Sequence, residues 1–102
     1  MDSKIFLNRI KKNIKGFDEK ARLILFGSRS RGDEKYNSDW DFLILMDQEV
    51  SESLKSEIRN SLFDVELESE QVISSIIHSK ASWNDVSITP FYKNVQKEGV
   101  IL

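Results

Sequence analysis

The sequence has no cysteine, a single proline, a single histidine and no apolar run long enough to cross a membrane. Without cysteine there is no disulfide, no thiolate metal site and no thiol nucleophile. A membrane-spanning helix needs about 20 predominantly apolar residues. The first residues, 1–5, also lack the basic-then-apolar pattern of a signal peptide. We therefore expect a cytoplasmic protein with no membrane association.

An excess of positive charge is also missing. Fifteen Lys and Arg residues face 17 Asp and Glu residues, which gives a net charge of −2. The chain thus carries no strong nucleic-acid signal, since nucleic-acid binding domains usually show a basic excess. The basic pair Lys11 and Lys12 fits a solvated face near a helix C-terminus, where cations are favoured. A length of 102 residues predicts one domain over residues 1–102.

The informative stretch runs from Leu23 to Met46. It consists of two apolar segments, residues 23–26 and 42–46, which predict strands, and a polar loop between them. The loop begins with a glycine, which lets the backbone approach a ligand closely. Backbone N–H groups at such a turn and at a helix start bind anions, and arginine can fork onto phosphate oxygens. The candidate phosphate-binding residues are Gly27, Ser28, Arg29 and Arg31.

Two aspartates lie one residue apart at the start of the second strand. Side chains alternate along a strand, so Asp39 and Asp41 share a face with Leu43 and Leu45. The opposite face is apolar throughout, which predicts a central strand with helices packed on the sheet. Buried carboxylates are costly unless a positive charge neutralises them. These two can converge on one divalent cation, or on two cations about 3.5 to 4 Å apart.

Residues 63–68 alternate strictly between apolar and acidic side chains. The alternation predicts a strand with Asp64, Glu66 and Glu68 on one face. If this strand lies beside the aspartate-bearing strand, Asp64 or Glu66 supplies the third carboxylate of a metal site. The alternative is an edge strand with a solvated acidic face.

The other elements follow from periodicity and end signals. Helices are predicted over 3–15, with Ser3 as N-cap and Gly16 as C-terminal cap, over 51–62, and from Thr89-Pro90 to Gly99. A further strand is predicted over 72–77. The last three residues, 100–102, either complete the core or form partner surface. His78 is interpreted as a surface or hydrogen-bonded residue, and Trp83 is expected to pack over the sheet edge.

The spacing of these motifs resembles a known family. A Gly27-Ser28 pair, ten intervening residues and then Asp39-Trp40-Asp41 is similar to the nucleotidyltransferase signature of the DNA-polymerase-β-like superfamily. The fuller string around both motifs resembles the minimal nucleotidyltransferases of bacteria and archaea. Many of those are the antitoxin half of a pair with a HEPN-domain protein. The resemblance implies an α+β fold in two layers, a small mixed β-sheet with helices packed on it, of the polymerase-β-like palm type.

The resemblance also implies roles for individual residues. Ser28 and the adjacent backbone would hold the β- and γ-phosphates of a nucleoside triphosphate, and Asp39 and Asp41 would bind Mg²⁺, two ions in all. A third acid on the next strand would complete the site and help to activate the attacking hydroxyl. Asp64 is the choice by the family pattern, with Glu66 as the alternative.

Two functions remain open at this point. The first is a Mg²⁺-dependent transfer of a nucleotide, AMP from ATP, onto a hydroxyl such as a tyrosine of a HEPN-type partner. The second is a non-catalytic nucleotide-binding module that neutralises its partner by contact. A chain this short has no separate acceptor domain, so a partner or another subunit must hold the acceptor, and a homo-oligomer is compatible with the sequence.

Overall fold

The computed structural model describes residues 1–35 and 37–102. Its elements follow in chain order: α1 (Ser3–Phe17), β1 (Arg22–Phe26), α2 (Ser28–Arg31), β2 (Trp40–Met46), α3 (Glu52–Ser69), β3 (Ile73–Ser79), α4 (Lys80–Asp85), α5 (Pro90–Glu98) and β4 (Val100–Ile101). None of the helices in these residues combines the length and the apolar character that a bilayer span requires.

The four strands form one mixed sheet in the order β3-β2-β1-β4. β1 pairs antiparallel with β2 and with β4, whereas β2 and β3 run parallel. The crossover between the parallel strands is α3, as a parallel pair requires. The predicted α+β class and mixed sheet are confirmed. The predicted strand at 72–77 is present as β3, shifted by one or two residues.

β2 is covered on both faces, as its alternation predicts. Trp40, Phe42, Ile44 and Met46 lie in a core with α1 and α3. The opposite face, with Leu43 and Leu45, packs against Trp83 of α4 and Val95 of α5. The strand is therefore central, and the helices divide into an α1/α3 side and an α4/α5 side of the sheet.

The predicted strand at 63–68 is wrong, because α3 continues without a break to Ser69. Its buried positions are Ile58, Leu62, Val65 and Ser69, whose three- and four-residue spacing is helical. The apolar–acidic alternation of 63–68 follows the strand period, but Val65 also continues the helical spacing of Ile58 and Leu62. Extending an existing helix adds one hydrogen bond for each residue fixed, and this segment contains only one β-branched residue. Phe63 and Leu67 are 55% and 65% exposed.

A helix over residues 63–68 predicts a large loss of stability for one substitution and a small loss for the neighbouring one. Leu62 is 2% exposed and belongs to the main core, so Leu62→Ala should lower the free energy of unfolding by about 2 to 5 kcal/mol. Phe63→Ala should change it by less than about 1 kcal/mol, because the ring is already half in water. Urea denaturation of both variants measures this. A larger loss of stability in Phe63→Ala than in Leu62→Ala would instead support a strand over residues 63–68.

The helix ends agree with the sequence prediction in α5 but differ from it in α1. Asp2, not Ser3, caps α1, with its Oδ1 accepting from the Ile5 N–H at 2.9 Å. Gly16 lies inside the last turn, and the helix runs to Phe17. Thr89 caps α5 as predicted, and its side chain accepts from the Tyr92 N–H. The apolar tail forms β4 on β1, and Leu102 packs against the main core.

Candidate active site

The glycine turn and the second aspartate meet at one end of the β1–β2 pair. The antiparallel register places Phe26 opposite Asp41, so the chain passes this aspartate as it leaves β1. Gly27 has φ 77° and ψ −160°, a conformation essentially limited to glycine. A Cβ on Gly27 would lie 2.2 Å from Asp41 Oδ2. The missing side chain is therefore what allows the carboxylate to lie against the turn.

The turn leads directly into the short helix α2. The Gly27 carbonyl accepts from the N–H groups of Ser30 and Arg31 at 3.1 and 3.3 Å, and from Ser30 Oγ at 2.8 Å. Ser28 is the first residue of this helix. The first N–H groups of a helix have no partner within it and can donate to a phosphate oxygen. Ser28 therefore follows directly on the turn that lies against the Asp41 carboxylate, and its hydroxyl and backbone N–H can act as hydrogen-bond donors.

Asp39 and Asp41 form a pair of negative charges. The pKa of Asp41 is raised, first by burial and then by the charge of Asp39, and the positive charge of Arg31 offsets this only in part. In residues 1–35 and 37–102, none of the ion pairs within 4 Å includes Asp39 or Asp41. A bound divalent cation would relieve this repulsion, and carboxylate oxygens are the donors that Mg²⁺ prefers. The two carboxylates fit such an ion.

The structure does not bring the predicted third carboxylate to this site. Asp64 is exposed on α3, and Glu66 Oε2 accepts from the Ile73 N–H at 3.2 Å. α3 packs on the face of the sheet opposite to the one that carries Asp41. The assignment of Asp64, with Glu66 as alternative, rested on a strand that does not exist. No group of three acidic, His or Cys side chains suited to a metal occurs in the described residues.

The two arginines of the loop already have partners. Arg29 donates to the Ser38 carbonyl from Nε and Nη2 at 3.2 and 3.0 Å, and its guanidinium lies 4.2 Å from the Trp40 ring centroid. It therefore fixes the segment that carries Asp39. Arg31 donates to Asp33 Oδ2 at 3.0 Å and to Glu98 Oε1 at 3.1 Å. These hydrogen bonds raise the pKa of Arg31.

Sequence reasoning missed two supporting residues. Glu98 at the end of α5 binds Arg31 across 67 residues of chain. Gln71 accepts a hydrogen bond from the Trp40 indole N–H at 3.0 Å. Nothing local in the sequence signals either contact, because each depends on how distant elements pack.

His78 and Trp83 lie away from the carboxylate pair. His78 Nδ1 is 3.3 Å from Ser82 Oγ, and its ring centroid lies 5.6 Å from that of Trp83. Burial, followed by the charge of Lys55, lowers the pKa of His78. The expected hydrogen-bonded role of His78 agrees with these contacts. Trp83 is buried with Ile24 of β1 and Leu43 of β2, the two central strands, so the expectation that it packs over the sheet edge is wrong.

A serine-bearing glycine turn set against Asp41 of the neighbouring strand, with Asp39 just before that strand, can hold a polyphosphate and the cation that accompanies it. In a mixed α+β sheet, this arrangement is that of nucleotide-transferring proteins.

Comparisons with known proteins give the family. A family model described as "Nucleotidyltransferase domain" matches residues 4–102, so the chain belongs to the nucleotidyltransferase domain family. It is 33% identical over 99 residues to a Methanocaldococcus jannaschii protein named "Putative protein adenylyltransferase MJ0604", covering 97% of this chain and 92% of that protein.

Solved structures share the fold. A crystal structure of a toxin–antitoxin with AMP-PNP aligns with a TM-score of 0.63 at 20% identity, over 92% of this chain and 69% of that one. A mutant form of the toxin–antitoxin MntA-HpeT aligns with the same TM-score, identity and coverage. At this level of identity the likeness concerns the fold.

Proposed function

We propose that the chain is a Mg²⁺-dependent protein adenylyltransferase, which moves AMP from ATP onto a hydroxyl of a HEPN-type partner in a toxin–antitoxin pair. The observation that carries this proposal is the Asp41 carboxylate lying against the Gly27 turn, with the charge of Asp39 beside it. Family membership, the M. jannaschii relative and the toxin–antitoxin neighbours support the choice of reaction, nucleotide and partner.

In this mechanism the chain binds and orients the triphosphate. Ser28 and the first N–H groups of α2 donate to the β- and γ-phosphate oxygens, and Asp39 and Asp41 hold the cations. Mg²⁺, when bound, stabilises the charge on the attacking and leaving oxygens. The acceptor hydroxyl forms a bond to the α-phosphorus, the bond to the β-phosphate breaks, and pyrophosphate leaves. Arg31 is paired with Glu98 and is close enough to Asp41 for its positive charge to lower the pKa of that carboxyl.

The test uses ATP labelled at the α-phosphate, Mg²⁺ and the protein encoded by the reading frame next to that of this chain. We expect label on that protein with the wild-type chain and a loss of about 10² to 10³-fold in labelling rate with Asp39→Asn. Asp85→Asn, an exposed acid on α4, is the matched control and should label at the wild-type rate. Toxin neutralisation that survives Asp39→Asn without labelling would show that contact alone is sufficient.

The same assay tests whether Asp64 is the third acid. Because α3 lies across the sheet from the turn, Asp64→Asn should retain labelling within about 2-fold of wild type. A loss comparable to that of Asp39→Asn would contradict the placement of Asp64 on the far side of the sheet.

A further inference from the structure

Arg31 keeps one donor nitrogen unused near the two aspartates. Its Nε donates to Asp33 Oδ2 at 3.0 Å, and its Nη1 donates to Glu98 Oε1 and Oε2 at 3.1 and 3.3 Å. Within the part of the chain that the structure describes, its Nη2 makes no hydrogen bond. Burial and the charge of Asp39 raise the pKa of Asp41, whereas the charge of Arg31 lowers it, so the guanidinium lies within electrostatic reach of that carboxylate. Nη2 is therefore available to a phosphate oxygen while both acids stay in place.

Glu98 is the more firmly held of the two acids that contact Arg31. Its side chain is 26% exposed, compared with 66% for that of Asp33. It is the last residue of α5, and the N–H of the following Gly99 donates to the Val95 carbonyl at 2.7 Å. An ion pair between two mobile surface side chains orients neither of them. Here the acid stands on a fixed helix end, so it can orient the arginine.

Gly99 brings the end of α5 close to β1. A Cβ on Gly99 would lie 2.8 Å from Ile24 Cγ2, so only glycine allows this approach. The next residue, Val100, begins β4 and pairs with Leu25 of β1. The end of α5 is therefore tied to the strand that leads into the glycine turn, and Glu98 meets α2 from this fixed position.

We infer that Glu98 is a positioning residue of the nucleotide site, which holds the Arg31 guanidinium so that its Nη2 donates to the triphosphate. This inference rests on the proposed nucleotidyl transfer. Glu98 touches neither the phosphates nor the cation in this arrangement, so its whole effect passes through Arg31. Because the arginine is ordered before the nucleotide arrives, less side-chain entropy is lost on binding.

The negative charge of Glu98 acts on an anionic ligand in the opposite direction. It offsets the charge of Arg31 and so lowers the attraction of the site for a triphosphate. Glu98→Gln removes this charge but keeps an amide oxygen that can accept from Nη1, whereas Glu98→Ala removes both. If only the charge mattered, both variants would bind ATP more tightly than the wild-type chain. Positioning instead predicts weaker binding in Glu98→Ala alone.

The experiment measures the affinity for ATP with Mg²⁺ by isothermal titration calorimetry, and then the KM for ATP and the kcat of partner labelling. Glu98→Ala should weaken ATP binding by about 3- to 10-fold, because the arginine must now be ordered when the nucleotide binds. The KM should rise by the same factor while kcat stays within about 2-fold. Glu98→Gln should bind ATP within about 2-fold of wild type. Glu57→Ala, which removes an exposed acid on α3, is the matched control and should bind ATP as wild type does.

A second background tests whether the effect passes through Arg31. In Arg31→Ala, the further change Glu98→Ala should alter ATP affinity by less than about 2-fold, because the group that Glu98 orients is gone. Thermal melts accompany the titrations, and Glu98→Ala should melt close to wild type because the ion pair is partly exposed. Equal losses of affinity on Glu98→Ala in both backgrounds, or no loss in the wild-type background, would overturn the inference.

The same measurements separate this inference from the function beneath it. A wild-type chain that binds ATP and labels its partner, with Glu98→Ala equal to it in ATP affinity, leaves the proposed function standing and removes the role of Glu98. A wild-type chain that binds no ATP in the presence of Mg²⁺ removes the proposed function, and the inference fails with it.

Discussion

Asp41→Asn is expected to slow AMP transfer by about 10² to 10³-fold and at the same time to make the protein more stable. The activity falls because Asp41 is one of the two carboxylates proposed to hold the cation, and loss of one preorganised electrostatic contact costs about 10² to 10³-fold in rate. The stability rises because Asp41 is partly buried with the charge of Asp39 beside it, and both effects disfavour its ionised form. Asparagine keeps the shape and removes the charge.

The stability difference between Asp41→Asn and the wild-type chain should depend on pH. The folded-state pKa of Asp41 lies above its unfolded value, so folding is penalised once the carboxyl ionises. The penalty is absent below the unfolded pKa, grows as the pH rises through the folded pKa, and is complete above it. The stability advantage of Asp41→Asn should therefore be largest at neutral pH and shrink as the pH falls towards about 4.

Thermal melts across this pH range, paired with labelled-ATP transfer, measure both halves. Added Mn²⁺ should raise the melting temperature of the wild-type chain more than that of Asp41→Asn. Asp85→Asn, which removes one exposed carboxylate elsewhere, should leave the activity and the Mn²⁺ response unchanged. A variant that is inactive but less stable at neutral pH would show that Asp41 has a structural partner and is not a strained ligand.

The fold was predictable wherever one periodicity had no competitor. The alternation of β2 correctly gave both of its faces, and the Thr89-Pro90 signal correctly gave the start of α5. Residues 63–68 alternate with the strand period, whereas Leu62, Val65 and Ser69 have helical spacing, and the packing of these three residues into the core selects the helix. That selection depends on tertiary contacts, which a local pattern does not contain.

The candidate site also has a part that the sequence predicts and a part that depends on tertiary packing. The turn and the paired aspartates belong to one continuous stretch joined by a strand pair, so sequence order nearly determines their proximity. The neighbour of Asp41 on its other side, Ser74, belongs to β3, which reaches β2 only after the crossover of α3. The predicted strand at 63–68 would have placed Asp64 or Glu66 beside Asp41, whereas the helix carries both residues on the other side of the sheet.

Gly27→Ala is expected to destabilise the protein and to abolish nucleotide transfer. Its backbone, at φ 77° and ψ −160°, lies in a region that costs other residues about 1 to 3 kcal/mol. The new Cβ would also lie 2.2 Å from Asp41 Oδ2, so either the turn or the carboxylate must move. We expect a lower free energy of unfolding by at least that amount and loss of nucleotide transfer.

Gly16→Ala is the matched control for this substitution. Gly16 lies in the last turn of α1, and a Cβ there would meet nothing within 4 Å. Alanine is favoured over glycine in a helix by about 0.5 to 1 kcal/mol, so this variant should be as stable as wild type or more so, and fully active. Urea denaturation and labelled-ATP transfer compare the two.

A second background separates the two causes of damage at Gly27. In Asp41→Ala the carboxylate is gone, so Gly27→Ala made there meets the backbone strain without the clash. The further loss of stability should then be smaller than in the wild-type chain, and the difference between the two losses measures the contact between turn and carboxylate. Equal losses in both backgrounds would mean that Asp41 does not lie against the turn, and the site proposed for phosphate and cation would lose its geometric basis.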